Sequence, residues 1–188
     1  RHGVIRLPED GAFNYLDASH WQTLHKRFTD FGITPIVIEP MPNELHEHIK
    51  VGDVHRDESI ARVIAMLPHM RAHGIETICF NWMAHVGWYR SASDIVERGG
   101  ALVTGFNLAD YKPKTKASIT EKELWDNYAY FLKAVIPTAE KYDIKLALHP
   151  DDPPIKKLGD VTVVAPKVEQ SGKSQAIEFV QPVEIKKV

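Results

Sequence analysis

Short apolar runs, each ending in polar residues and alternating with helical patterns, constrain this chain more than any other feature. Three such runs lie at residues 33–39, 76–81 and 144–149. Each has the length and β-branched or apolar character of a buried strand. A fourth, at residues 3–7, reads as the first strand. Between them, residues 18–31 carry Trp21, Leu24, Phe28 and Phe31 at helical spacing, with Asp17 or Ser19 as a cap and Gly32 as a stop. Residues 58–72 place Ile60, Val63, Ile64, Leu67 and Met70 on one face and stop at Gly74. Pro68 inside that pattern predicts a kink or an early break. Glu121–Lys141 is the strongest helical pattern. It opens with the capping-box spacing of Thr120 and Glu123, presents Leu124, Tyr128, Phe131, Leu132 and Val135, and meets a bend signal at Pro137. Strand–helix alternation of this kind predicts an α/β fold of parallel β/α units.

Two stretches depart from the rhythm. Residues 91–117 are rich in Gly, Lys and Asp and contain Tyr111-Lys112-Pro113-Lys114. They read as an insertion over one face of the sheet, either a lid or a solvated excursion. After about Leu158 the β/α alternation is lost. Residues 159–165 are a strand candidate, 166–174 a polar loop, and 176–188 a second extended segment interrupted by Pro182, with no helix between.

Composition narrows the function classes. The chain has 188 residues, 44% hydrophobic and 26% charged, so it can build one sizeable core. A formal net charge of −2 makes no electrostatic case for nucleic acid or an anionic membrane. No apolar run approaches the roughly 20 residues of a membrane span. The single Cys79 excludes an internal disulfide and fits a reducing cytoplasm. No signal peptide is visible, and the opening at Arg1 suggests an excised, processed or partial chain. Ten histidines raise the prior for metal or acid/base chemistry.

The strand ends carry the chemistry-bearing side chains. Glu39-Pro40-Met41-Pro42, followed by His46-Glu47-His48, closes one. Asn81-Trp82-Met83, followed by Trp88-Tyr89-Arg90, closes the next, and His149-Pro150-Asp151-Asp152-Pro153-Pro154 the third. Parallel α/β folds place chemistry at the C-terminal ends of their strands. A carboxylate, an amide, an aromatic face, a guanidinium and an imidazole together suit a small polyhydroxylated acid. Arg90 could clamp a carboxylate, and Trp88 could stack on a sugar chain. Each has a plainer account: Glu39 in a strand-end salt bridge, Trp88 in packing, Arg90 in a surface contact, His149 in a polar loop. His46 and His48 flank Glu47 in a charged stretch, which predicts solvent exposure over metal binding. The Gln170-Ser171-Gly172 turn could cradle a phosphate. There is no Walker-type loop, CxxC pair or nucleophile elbow.

These motifs carry a resemblance. From about Gly3 to Pro154 the chain resembles the N-terminal half of the mannonate dehydratase family. The carrying segments are Ile38-Glu39-Pro40-Met41-Pro42 with His46-Glu47-His48-Ile49-Lys50, Cys79-Phe80-Asn81-Trp82-Met83 with Trp88-Tyr89-Arg90, Asn127 through Pro137, and His149 through Pro154. The resemblance implies a TIM (β/α) barrel of the xylose-isomerase-like type. It also implies dehydration of D-mannonate to 2-dehydro-3-deoxy-D-gluconate in hexuronate catabolism, with Mn²⁺ or Fe²⁺. It makes His149 a metal ligand, and it lines the substrate pocket with Glu39, Asn81, Trp88, Arg90 and Asp151. The family barrel continues past its His-Pro-Asp-Asp motif, and later strands supply a Cys, a His and an Asp as further ligands.

The expectation is therefore a partial TIM barrel over residues 1–157 with a short β-rich non-barrel tail over 158–188. The isolated chain is expected to be inactive as a dehydratase. Its expected partner is a small sugar acid, without nucleic acid or membrane, and assembly into a homo-oligomer stays open. The tail, Leu158 through Pro166 with Gln170-Ser171-Gly172, resembles the SurE survival-protein nucleotidases. That likeness makes Ser171 an alternative metal position, suggests a chimaeric junction between Pro154 and Gly159, and offers a phosphatase, or a fusion fragment without activity, as alternative readings.

Overall fold

The computed structural model describes residues 1–9, 11–113, 117–153, 155, 157–158 and 160–162, and the backbone of 167–171 and 174–178. In chain order the elements are β1 (His2–Ile5), α1 (Ala18–Thr29), β2 (Thr34–Ile38), α2 (Asn43–Val51), α3 (Arg56–Ala72), β3 (Thr77–Phe80), β4 (Ala92–Val96), β5 (Leu102–Gly105), α4 (Glu121–Lys141) and β6 (Lys145–Leu148). Four short strands follow: β7 (Lys157–Leu158), β8 (Val161–Thr162), β9 (Lys167–Ser171) and β10 (Ser174–Glu178). The chain forms two compact units, Arg1–Asn81 with Trp125–His149, and Trp82–Leu124 with Pro150–Val188.

The first unit is α/β, an open segment of a β/α barrel. Its four strands run in the order β1-β2-β3-β6, and every neighbouring pair is parallel. Parallel neighbours need crossover connections, which the intervening helices provide. Register aligns Ile5 with Ile38, Ile38 with Ile78, and Phe80 with Leu148. The side chains of Ile5, Ile38, Ile78 and Phe80 are buried. Phe80 meets Phe131 of α4 edge to face, with ring centroids 5.5 Å apart at 77°. The alternate positions Val37, Cys79 and Ala147 are only half-buried, and Val4 is 59% exposed. Successive strand residues point to opposite faces. One face of the sheet is thus packed, and the other is open among the described residues.

Local signals set the helix ends. Asp17 caps α1, its carboxylate accepting from the Ser19 backbone N–H at 2.8 Å. Thr120 and Glu123 form the reciprocal capping box: Thr120 N–H donates to Glu123 Oε2 at 2.9 Å, and Glu123 N–H to Thr120 Oγ1 at 3.2 Å. Gly52 ends α2 in the left-handed region, with φ 69°. A Cβ there would come within 2.5 Å of the Asn127 side chain, so glycine is required by space as well as by conformation.

Some expectations need correction. Pro68 lies inside α3 without an early break, and Pro137 lies inside α4. Each costs one backbone hydrogen bond, and the buried face on either side holds the helix together. The charged stretch after Pro42 is a helix, α2. The expected loop over 166–174 is largely an antiparallel hairpin, with Lys167 opposite Glu178 and Ser171 opposite Ser174. Pro166, Gly172 and Lys173 of that stretch lie outside the described residues. The strand expected over 159–165 is found at Val161–Thr162, paired with β7; Asp160 precedes it as a turn residue, and 159 and 163–165 lie outside the described residues.

In the second unit the expected insertion contains a hairpin, β4 antiparallel to β5, with Ile95 opposite Val103 and Val96 opposite Leu102. Its apolar side chains are exposed, Val96 at 71% and Leu102 at 64%. Met83 and Leu158 form a small core joined by Val86, Phe106, Tyr111 and Ile155. Among the described residues, no helix is long and apolar enough to cross a membrane.

Candidate functional site

In the first unit, Glu39, Asn81 and His149 each sit one residue beyond a strand, past Ile38, Phe80 and Leu148. The ladder continues into these ends. Glu39 N–H donates to Ile5 O at 2.9 Å, and His149 N–H to Phe80 O at 2.8 Å. All three therefore lie at the C-terminal edge of one parallel sheet, as the sequence pattern predicts. Glu39 and Asn81 are half-buried and His149 is exposed. Glu39 accepts from the Cys79 thiol. Burial first, and then the Glu39 charge, push that thiol's pKa up.

Helix α2 supplies the groups that hold Asn81. His46 is completely buried, which corrects the expectation of solvent exposure. Its Nδ1 lies 2.9 Å from Pro42 O and its Nε2 3.2 Å from Asn81 O. Burial first, then the Lys50 charge, lower its pKa to about 3, so the ring is neutral at pH 7. A neutral imidazole donates from one nitrogen only, and the shorter contact, to Pro42 O, is the natural donor bond. Lys50, 2% exposed, donates to Asn43 Oδ1 at 3.1 Å and to Asn81 Oδ1 at 2.9 Å. An ammonium has no acceptor, so the Asn81 amide must turn its oxygen towards Lys50. His48, by contrast, pairs with Asp53 at the surface, 2.7 Å away. The sequence pattern does not mark Lys50 as buried. Leu45 and Ile49, four residues apart, are the signal that this segment is a helix with a buried face.

The second unit brings together Trp88, Arg90 and the two acids of the His149-Pro150-Asp151-Asp152 run. Asp151 is 2% exposed and accepts from Trp82 backbone N–H at 2.9 Å. Through that bond it anchors the chain at Trp82. Asp152 takes both arms of the Arg90 guanidinium, Nη1 at 3.0 Å to Oδ1 and Nη2 to Oδ2. It also accepts from Trp88 Nε1 at 3.1 Å. The guanidinium stacks over the Trp88 ring, 4.1 Å from its centroid. Trp88 is 62% exposed, so it is not a core residue. Arg90 thus has the bidentate geometry expected of it, with an internal carboxylate as partner.

The donors for a divalent ion do not fit. Among the described residues, no three side chains of His, Cys, Asp or Glu gather about one point. His149 contributes one imidazole at a strand end. Ser171 ends β9, and nothing is described of its side chain.

Residues 14–121 and 107–175 match the D-mannonate dehydratase (UxuA) family. The match runs past the junction expected between Pro154 and Gly159. Mannonate dehydratase 2 of Halalkalibacterium halodurans is 33% identical over 162 residues, covering 72% of this chain and 46% of that protein. The mannonate dehydratase of Streptococcus agalactiae serotype Ia is 33% identical over 164 residues, covering 73% and 47%. The crystal structure of mannonate dehydratase from Streptococcus suis serotype 2 superposes with a TM-score of 0.75 and 28% identity, covering 87% of this chain and 48% of that one. The chain spans about half the length of the curated relatives it matches.

Proposed function

The chain belongs to the D-mannonate dehydratase family, and from that premise we propose that it provides the substrate-positioning half of a hydro-lyase acting on D-mannonate. The observation that carries this reading is the alignment of Glu39, Asn81 and His149 at the C-terminal edge of one parallel sheet. β/α barrels place their reacting groups at that edge. The reaction breaks the C2–H and C3–O bonds, releases water, and leaves an enol that becomes the 2-keto acid. It needs a base for the C2 proton, an acid for the departing hydroxide, and donors for the charge that develops on the carboxylate side. In this proposal Glu39 and Asn81 are the first unit's candidate groups for a sugar acid's hydroxyls. Arg90, Trp88 and Asp151 are the second unit's candidates, Arg90 for a carboxylate and Trp88 for an apolar carbon chain. His149 would offer a single imidazole to a divalent ion such as Mn²⁺ or Fe²⁺, and the described residues do not complete a donor set around it, so no step is assigned to a metal. The setting is hexuronate catabolism in the cytoplasm. The structural division is an incomplete barrel over residues 1–157 and a β-rich tail over 158–188, and the family match to residue 175 supports extending the dehydratase reading into that tail.

Incubating the purified chain with D-mannonate and Mn²⁺ tests the assignment of labour. No keto-deoxy acid is expected from the chain alone. Millimolar D-mannonate should shift the Asn81 side-chain amide and Trp88 indole resonances, whereas mannitol should not. Turnover by the chain alone would overturn the division of the site, and silence at both resonances would overturn substrate positioning. Release of phosphate from a nucleoside monophosphate, lost in Ser171→Ala, would instead favour the SurE-like reading of the tail.

A further inference from the structure

We propose that Asp152 is an internal stand-in for the ligand's carboxylate, and that the Arg90–Trp88 cradle works by exchanging Asp152 for the carboxylate of a sugar acid. The proposal rests on the substrate reading above for the identity of the acid, and on the geometry of the second unit for the exchange itself. One carboxylate receives three N–H donors, two from the Arg90 guanidinium and one from the Trp88 indole. A planar fork with an auxiliary donor is what a carboxylate receptor requires. Tyr89 O accepts from Arg90 Nη1 at 2.9 Å, which fixes the guanidinium independently of Asp152. Stacking on Trp88 fixes its plane.

The two neighbouring acids differ in a way that permits exchange. Asp151 is buried and tied to the Trp82 backbone N–H. The side chain of Asp152 is 31% exposed and that of Arg90 20% exposed. Asp152 can therefore leave the cradle while Asp151 keeps the loop anchored. Both side chains keep part of their surface in solvent, so a competing anion can reach the cradle. A tethered competitor acts at an effective concentration in the millimolar range. It lowers the apparent affinity in proportion to the fraction of molecules with an empty cradle. Trp88, held at its indole N–H and on the face covered by the guanidinium, stays exposed enough to receive the carbon chain of the incoming acid.

Titration of the purified chain, followed at the Trp88 indole N–H resonance, tests the exchange. The ligands are D-mannonate, propionate and mannitol. Asp152→Ala should tighten D-mannonate and propionate binding about tenfold, as expected if roughly one cradle in ten is empty in the parent chain. Asp152→Asn keeps an oxygen for the indole while removing the charge, and should tighten them in the same direction even if the alanine variant folds poorly. Mannitol should bind to neither. Adding Arg90→Lys to Asp152→Asn should remove the gain, because an ammonium lacks the fork. Unchanged or weaker carboxylate binding in Asp152→Asn would overturn the exchange and make Asp152 a structural latch. If propionate tightens as expected but D-mannonate is not preferred over it, the exchange stands and the substrate reading falls. If D-mannonate is preferred but binds equally with and without Asp152, the reverse holds.

Discussion

His46 shows how burial converts an ordinary residue into a pH-dependent one. Its ring is completely buried beside Lys50, and its pKa falls to about 3. The unfolded chain therefore binds a proton near pH 6.5 that the folded chain refuses until about pH 3. Its contribution is fully present above pH 6.5 and is lost as pH falls through that window, at a limiting slope of about 1.4 kcal/mol per pH unit. Urea unfolding between pH 7 and pH 4 should show the slope, and His46→Gln should flatten it. A slope that persists unchanged in that variant would assign it to other groups. The same burial explains why the strand-end position of Asn81 was legible while its supports were not. Asn81 follows an apolar run, a position visible in the sequence. That Lys50 reaches it from 31 residues away is a product of folding.

At the scale of elements, strands β2, β3 and β6 and helices α1, α3 and α4 follow from periodicity and caps, because those signals are local. The Thr120–Glu123 box is one of them. Thr120→Ala removes a hydroxyl that accepts from the Glu123 N–H and should cost about 1 kcal/mol. Denaturant midpoints of the two proteins, at equal slope, would measure it, and an unchanged midpoint would place the helix start elsewhere. Helix α2 escapes the same reading because half of its buried face is polar. Leu45 and Ile49 share it with His46 and Lys50. An apolar-period test scores histidine and lysine as outside, whereas here Pro42 O, Asn43 and Asn81 satisfy them. The unbroken helices at Pro68 and Pro137 have a related cause. Local propensity opposes proline, and packing of neighbours such as Leu67, Met70 and Val135 outweighs one missing hydrogen bond.

For the molecule as a whole, the sheet of the first unit is packed on one face. Phe131 lies at the centre of that packing, fully buried against Phe80. Phe131→Ala should cost about 3–5 kcal/mol, a large part of the roughly 5–15 kcal/mol that holds a domain together. Chemical denaturation would report the loss, and a change under 1 kcal/mol would mean that the helix layer does not depend on it. The sequence by itself determined the α/β class, the family, the strand ends that carry Glu39, Asn81 and His149, and the pairing of Trp88 with Arg90 in one motif. These are encoded in nearest-neighbour patterns: apolar period, cap spacing, and short runs of unusual residues. Tertiary structure alone decided that Asp152 fills the Arg90 fork, that Asp151 anchors Trp82, and that His46 and Lys50 turn inward to Asn81. Such contacts join residues about 30 to 70 positions apart. Charge and hydrogen-bonding capacity can be read from a residue's identity, but its partner depends on which distant segments the fold brings within 3 Å.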